Sequence, residues 1–316
     1  MGNCCGTDNT KPDAAPGDLS AKPITAQAPE PERAASNSGH SDHAPANSTL
    51  VTEMNPLAPH VTKALDTIGE YNREAGLLPE YTSLPTLGPY REANQDTYLG
   101  QYKNGLKHGY GKLVTADGRL YEGYWNQNIG TGKVRIIDEN TYEGDWRNGL
   151  KEGQGREVTQ AGDEYIGSFS NNLRHGQGTY RKVTGDSYVG NFSNGKYDGQ
   201  GKMLWKDGKS YEGGWSDGRI HGKGAYIWVD GQKYIGEYIN EVKEGYGEFY
   251  WADKKIYKGT WKGGKQHGFG TFINPSGEAK DGEWDMGKFK RWVSAPANPA
   301  NPQGQSNMSN PITTAA

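Results

Sequence analysis

Seven side chains that could bind a metal ion or move protons recur at one position of a repeated pattern. They are separated by 23 residues or about twice that number: His108, Glu152, His175, Asp198, His221, Glu244 and His267. If each step is one β-hairpin, neighbours in this column lie about 9.6 Å apart, whereas the ligands of one metal ion lie about 2 Å from it. We therefore expect these side chains to hydrogen-bond to nearby turns, and we predict no metal site, no cofactor and no catalytic set.

The first six residues suggest another chemistry, the covalent attachment of lipids. Removal of Met1 would expose Gly2 for N-myristoylation, and Cys4 and Cys5 are candidates for S-palmitoylation. One myristoyl chain gives only marginal membrane binding, so palmitate would supply the second hold. Gly6 departs from the Ser or Thr preferred at its position, and two incidental cysteines are the alternative interpretation.

Gly-x-Gly pairs, such as Gly109/Gly111 and Gly222/Gly224, could suggest a phosphate-binding loop. Such a loop needs a following helix and, in the nucleotide-binding form, a Lys-Ser/Thr pair, and neither accompanies these glycines. The pairs instead recur in successive repeats. We interpret them as structural and predict that the chain is not an enzyme.

The elements that would position these residues follow from a repeat of 23 residues, with one step of 21. Each unit opens with Tyr, then Gly two positions later and an aromatic residue after two more, which places all three on one face of a strand. The opening residues are Tyr98, Tyr121, Tyr142, Tyr165, Tyr188, Tyr211, Tyr234 and Tyr257. Asn-Gly or Asp-Gly follows, as at Asn104-Gly105, and favours a hairpin turn. Residues 87–292 are thus predicted to form an all-β fold, an elongated single-layer antiparallel meander of about eight hairpins.

The flanking segments lack the repeat. Residues 7–59 are rich in Ala, Pro and Ser and contain no aromatic residue, so we expect a disordered linker after the lipidation signal at residues 1–6, and residues 293–316 are predicted to be a disordered tail. Residues 60–76 are predicted to form an amphipathic helix. Its apolar face comprises Val61, Ala64, Leu65, Ile68, Tyr71 and Ala75. We expect this helix to pack on the sheet, and partner binding is the alternative.

The repeat unit resembles the MORN repeat (membrane occupation and recognition nexus). The third unit carries the whole pattern: Tyr142, Gly144, Trp146, Gly149, Glu152, Gly153 and Gly155. The second unit departs from it at Asn128 and Val134, and the seventh departs at Glu241. The resemblance implies a non-catalytic interaction scaffold near membranes or in the cytoskeleton, cilia included, with anionic phospholipids among the suspected ligands.

Two surfaces are candidate binding sites. Basic residues collect near the C-terminal end of the repeats, too mildly for nucleic-acid binding in a chain of net charge −3. Candidates for contact with anionic lipid headgroups are Lys254, Lys255, Lys258, Lys262, Lys265, Lys288, Lys290 and Arg291. An ordinary solvated face is the alternative. Trp205, Trp228 and Trp251 form a column that is a candidate partner-binding stripe, with simple packing as the alternative.

Together these features predict a lipidated scaffold on the cytoplasmic side of a membrane, either plasma or ciliary, that links the membrane to protein partners. The alternatives are an anionic phospholipid-binding module and a structural component of the cilium or cortical cytoskeleton. The sequence contains no apolar run long enough to span a bilayer, and its two adjacent cysteines give no disulfide framework. The partners and the oligomeric state stay open, a homodimer included.

Overall fold

The computed structural model describes residues 47–68, 71–72 and 79–293. These residues contain one α-helix, α1 (Pro59–Ile68), a single 3-10 turn at Pro79–Tyr81 and twenty strands. The strands are β1 (Thr49–Leu50), β2 (Thr86–Arg91), β3 (Thr97–Lys103), β4 (Leu106–Val114), β5 (Leu120–Asn126), β6 (Ile129–Ile137), β7 (Thr141–Arg147), β8 (Leu150–Val158), β9 (Glu164–Ser170), β10 (Leu173–Arg181), β11 (Ser187–Ser193), β12 (Lys196–Leu204), β13 (Ser210–Ser216), β14 (Arg219–Ile227), β15 (Lys233–Ile239), β16 (Val242–Tyr250), β17 (Ile256–Lys262), β18 (Lys265–Ile273), β19 (Ala279–Asp285) and β20 (Lys288–Trp292).

The described chain divides into two compact units. The N-terminal unit contains residues 47–208 and 215–218, and the C-terminal unit contains residues 209–214 and 219–293, with the gaps given above. From β2 to β12 in the first unit, and from β14 to β20 in the second, each strand pairs antiparallel with the next strand along the chain. The predicted all-β meander of hairpins is confirmed.

The Tyr-x-Gly spacing has a steric cause that repeat five shows well. Gly190 lies opposite Gly178 on one neighbouring strand and opposite Gly201 on the other. The ring of Tyr188 folds across Gly190 and Gly201, and its hydroxyl donates to the carbonyl of Asn191 at 3.0 Å. A Cβ atom added to Gly201 would lie 2.1 Å from the Tyr188 hydroxyl oxygen, so no larger residue fits.

The rings of successive repeats pack edge to face and form the aromatic face of the sheet. The Tyr188 ring lies 5.2 Å from the ring of Phe192 in its own repeat and 5.5 Å from Trp215 in the next. Tyr165 makes the matching contact with Phe192 at 5.0 Å. Perpendicular aromatic pairs at such distances gain energy beyond the area they bury, so a row of them can replace an aliphatic core.

The segment before the repeats covers the opposite face of the sheet, the outer face, at the first two repeats. Val61 of α1 is fully buried against Val114, Leu120 and Ile137. Further along, the ring of Tyr71 stacks on Tyr110 and its hydroxyl donates to the carbonyl of Lys133 at 2.8 Å. The expectation that this helix packs on the sheet is confirmed.

Two predicted boundaries are wrong. The helix predicted over residues 60–76 ends at Ile68, and Tyr71 and Asn72 are not helical although Tyr71 still packs on the sheet. The predicted disorder of residues 7–59 does not hold for residues 47–59, because β1 pairs with β2 and the Asn55 amide donates to three backbone carbonyls of the repeats. Residues 47–59 are therefore ordered by hydrogen bonds to the repeats. Residues 7–46 and 294–316 lie outside the described residues.

Candidate functional site

The column of histidines and acids bonds to turns, as expected. In five of its members the side chain accepts a hydrogen bond from a backbone N–H in the next short turn. The pairs are Asn171 to Glu152 at 3.0 Å, Asp217 to Asp198 at 3.2 Å, Asn240 to His221 at 3.5 Å, Gly263 to Glu244 at 2.8 Å and Met286 to His267 at 3.4 Å. Within the described residues no three His, Cys, Asp or Glu side chains are arranged to hold a metal ion.

Buried cations on the aromatic face are the polar feature that sequence reasoning missed. Lys107, Lys151, Arg174 and Lys243 are 4%, 7%, 6% and 5% exposed, and each is the second residue after a short turn. A charge this deeply buried needs a partner of opposite sign or an aromatic ring. The shared position was a readable signal, but its burial became visible only in three dimensions.

Glu157 joins two of these cations. Its carboxylate lies 2.5 Å from the Lys151 ammonium and 2.9 Å from the Arg174 guanidinium. Burial by itself raises the pKa of the Glu157 carboxyl, but the charges of Lys151 and Arg174 outweigh burial and leave the pKa below its usual value. The three side chains form an ionised group that holds repeats three and four together.

Aromatic rings surround the same cations. The Lys151 ammonium lies 4.9 Å from the ring centre of Tyr142, and the Arg174 guanidinium lies 4.7 Å from that of Tyr180. Lys243 in the C-terminal unit lies 4.6–5.2 Å from four rings: Trp228, Tyr234, Phe249 and Trp261. These distances are those of cation–π contacts, so the aromatic face is built to hold positive charge.

The eight basic candidates for lipid headgroups do not lie together. Lys254 and Lys255 lie in the turn between β16 and β17, while Lys262, Lys265 and Lys288 lie beside the short turns at the other end of the strands. Four of the eight form ion pairs: Lys255 with Asp253 at 2.6 Å, Lys258 with Glu248 at 3.0 Å, Lys290 with Asp285 at 3.2 Å and Arg291 with Glu283 at 2.8 Å. We call Lys262, Lys265 and Lys288 the basic edge.

The candidate tryptophans are largely packed. In the C-terminal unit Trp228 and Trp251 lie 5.5 Å and 4.7 Å from the ring of Phe249. In the N-terminal unit Trp205 is 7% exposed. Packing accounts for these contacts, and the partner-binding role of the three stays a prediction.

The outer face beyond the second repeat carries exposed apolar side chains. In the N-terminal unit Ile166 and Val189 are 44% and 54% exposed and flank Thr179 on the strand between them. In the C-terminal unit Ile235, Tyr246 and Phe269 are exposed in the same way. In the first two repeats the corresponding face is covered by α1 and Tyr71.

The predicted lipidation residues Gly2, Cys4 and Cys5 lie outside the described residues. Across the described ranges, no helix has the length and apolar character needed to cross a membrane.

Tandem hairpins with this register define a β-repeat protein. The family model of the MORN repeat matches residues 98–118, 142–164, 165–187, 188–210, 211–233, 234–255 and 257–279. The chain belongs to the MORN-repeat family. That model does not match residues 119–141. In this repeat Val134 lies opposite Gly123, where other repeats have a glycine.

No curated protein matches the chain significantly. Among solved structures, the SAS-4 TCP domain of Drosophila melanogaster, in complex with a proline-rich motif of Ana2, is 11% identical, with 67% of this chain and 96% of that chain covered and a TM-score of 0.23. A virginiamycin B lyase from Staphylococcus aureus is 11% identical, with 67% and 71% covered and a TM-score of 0.13. Likenesses this low carry no argument about fold or function.

Proposed function

We propose that this chain is a non-catalytic scaffold that binds protein partners while lipids on its N-terminus hold it at the cytoplasmic side of a membrane. The observation that carries the proposal is the uncovered outer face, on which Ile166 and Val189 stay exposed beside Thr179. Exposed apolar groups that share one face mark interaction surfaces. A β-repeat suits this role because neighbouring repeats present the same exposed positions.

The chain itself shows what kind of segment fits this face. At the first two repeats an amphipathic helix, α1, and the ring of Tyr71 cover it, with Val61 buried against Val114 and Leu120. No segment of the described residues covers Ile166 or Val189, which lie further along the same face. An amphipathic segment of a partner protein is therefore the occupant that we expect.

Membrane attachment is assigned to Gly2, Cys4 and Cys5, since two acyl chains suffice for stable anchoring and one does not. The test is fractionation of cells that express the wild type, Gly2→Ala, or Cys4→Ser/Cys5→Ser. We expect the wild type in the membrane fraction and both variants mainly in the supernatant. An equal distribution of all three would remove the anchoring claim.

The same fractionation separates the two alternatives. The basic edge favours direct binding of anionic lipid, because Lys262 and Lys265 face each other across one hairpin and neither forms an ion pair with the described residues. That alternative predicts that the Gly2→Ala variant stays on membranes until Lys262→Ala/Lys265→Ala or high salt releases it. Lys254→Ala/Lys255→Ala, at the other end of the strands, is its control. A cytoskeletal component would instead remain in the detergent-resistant pellet.

A further inference from the structure

The second repeat lacks a side chain at the position where other repeats hold their buried cations. Along the chain this position is occupied by Lys107, Gly130, Lys151, Arg174, Tyr197, Ile220, Lys243, Gln266 and Phe289. Every repeat except the second places a side chain of at least four heavy atoms there. Gly130 contributes no side chain at this position.

A cavity of about 450 Å³ opens at Gly130, within the N-terminal unit. Its walls include the rings of Tyr121, Trp125 and Trp146 and the aliphatic side chains of Leu113 and Val134. Its volume is in the range of small-molecule sites, and its largely apolar walls with a few polar groups are typical of them.

The neighbouring repeats show what the aromatic walls can hold. Lys107 lies 5.5 Å from the ring of Tyr98, which opens its own repeat, and 5.5 Å from Trp125 in the next. Lys151 lies in the same way between Tyr142 and Phe169, at 4.9 Å and 5.8 Å. A cation at the same place in the second repeat would lie between its opening tyrosine and the aromatic residue of the third.

Those two rings are Tyr121 and Trp146, and both line the cavity. No cation of the described chain lies over either ring. The indole nitrogen of Trp146 would lie 3.1 Å from a Cβ atom added to Gly130, so this ring packs directly against the glycine and would shift by a few tenths of an ångström to admit a side chain there.

The charges of the lining also suit a cation. Asp96 and Asp117 line the cavity beside a single guanidinium, that of Arg119, which leaves one net negative charge. Arg119 is held by Asp117 at 2.9 Å and lies 3.5 Å from Asp138. Asp96 is 9% exposed and accepts hydrogen bonds from the Ala116 amide and the Asn94 side chain, so its carboxylate is fixed in position.

We propose that this cavity binds an organic cation, an amine or guanidine on a short apolar chain, carried by a small molecule or by a lysine or arginine side chain of a partner. The ligand supplies from outside the cation that the second repeat lacks, with its charge between Tyr121 and Trp146 and its chain against Leu113 and Val134. The site belongs to the N-terminal unit alone and does not depend on the scaffold function.

The test is calorimetric titration of the full chain with agmatine, a guanidine on a four-carbon chain, and with butyrate and pentanol as the anionic and neutral counterparts. An acetylated Gly-Arg-Gly amide represents the side chain of a partner. We expect agmatine or the peptide to bind, with at least tenfold weaker binding of butyrate and pentanol. If agmatine binds more tightly than the peptide, the natural ligand is a small molecule; if the peptide binds more tightly, it is a side chain of a partner. Equal binding of the three small probes, or no binding of either guanidine, would overturn the proposal.

Variants locate the binding. Gly130→Lys returns a cation to the column, and we expect it to weaken agmatine binding at least tenfold, because the new side chain occupies the cavity. Asn126→Lys is the matched control, since it adds the same charge where three other repeats already carry Lys103, Arg147 and Lys262. We expect it to change binding less than twofold. Unchanged binding by Gly130→Lys would contradict the proposal.

A second variant keeps the test valid if Gly130→Lys does not fold. Asp117 is 59% exposed, so Asp117→Asn removes one negative charge from the lining with little effect on packing. We expect agmatine to bind this variant about fivefold more weakly, since the net charge of the lining becomes zero. Wild-type affinity in a variant with an unchanged melting temperature would count against an electrostatic site.

Discussion

Single residues of this protein carry two kinds of constraint, one of space and one of charge. The sequence predicts the spatial constraint. Tyr188, Gly190 and Gly201 are one instance of a spacing that recurs in other repeats, and strand geometry brings them into contact. The sequence does not predict the charge constraint. Lys151 is buried and the side chain of Lys112 is 42% exposed; the two occupy different repeat positions, but the sequence does not show that one of these positions is buried.

The difference lies in the partners of these lysines. Lys151 is stabilised by Glu157 on its own strand and by aromatic rings of two repeats. Such a set comes together only once the sheet has formed, because its members lie on three different strands. The buried ion pairs therefore could not be predicted from the sequence. The hydrogen bonds from turns to the column of histidines and acids could be predicted.

Glu157→Gln is expected to destabilise the N-terminal unit by about 3 kcal/mol at pH 7, because it leaves Lys151 and Arg174 buried without their common counter-charge. Urea unfolding followed by tryptophan fluorescence measures the loss. Glu139→Gln, which removes an exposed carboxylate of the same unit, is the control and should change stability by less than about 0.5 kcal/mol.

The pH dependence of this effect has a definite sign. The pKa of the Glu157 carboxyl is lowered by folding, so its contribution is complete above the unfolded value of about 4.3 and is lost as the pH falls through the lower folded value. The stability difference between wild type and Glu157→Gln should therefore shrink below about pH 4. A difference that stays constant from pH 7 to pH 3 would show that the carboxylate charge is not the cause.

At the scale of elements, the hairpins were predictable and the N-terminal segment only partly so. Period-two aromatics and Asn-Gly turns fix strands and turns locally, and the structure has both where the repeat places them. Residues 47–59 offer no such period. They are ordered by contacts distant in sequence, such as Asn55 with the carbonyl of Val114 and the Ala58 amide with that of Gly118.

The packing of α1 gives a prediction at this scale. Val61→Asp places a charge in the apolar cluster of Val114, Leu120 and Ile137 and should release the helix from the sheet. Hydrogen exchange measured by mass spectrometry should show at least tenfold faster exchange of the α1 amides, while the strands of repeats three to five keep their protection.

The neighbouring position provides the control for this experiment. Thr62 is exposed on the same turn of the helix, so Thr62→Asp adds the same charge on the solvent side. It should leave the exchange of α1 close to that of the wild type. If both variants release the helix equally, burial of Val61 is not what holds it.

For the whole molecule, we propose two contacts: one with the membrane through lipids on Gly2, Cys4 and Cys5, and one with protein partners through the uncovered outer face. The family follows from the repeats, and sequence alone was enough to recognise it. The outer face was not foreseen, because exposure of Ile166 and Val189 depends on how far the N-terminal segment reaches over the sheet.

The most direct test is proximity labelling in cells from the C-terminus of the full chain. It compares the wild type with Ile166→Asp/Val189→Asp and with the control Gln177→Asp/Asn191→Asp, which adds the same charge at polar positions of the adjoining strands β10 and β11. We predict that the first variant stays at the membrane but loses a specific set of protein neighbours that the control retains. An identical set of neighbours for all three proteins would contradict the claim that the uncovered outer face binds the partners.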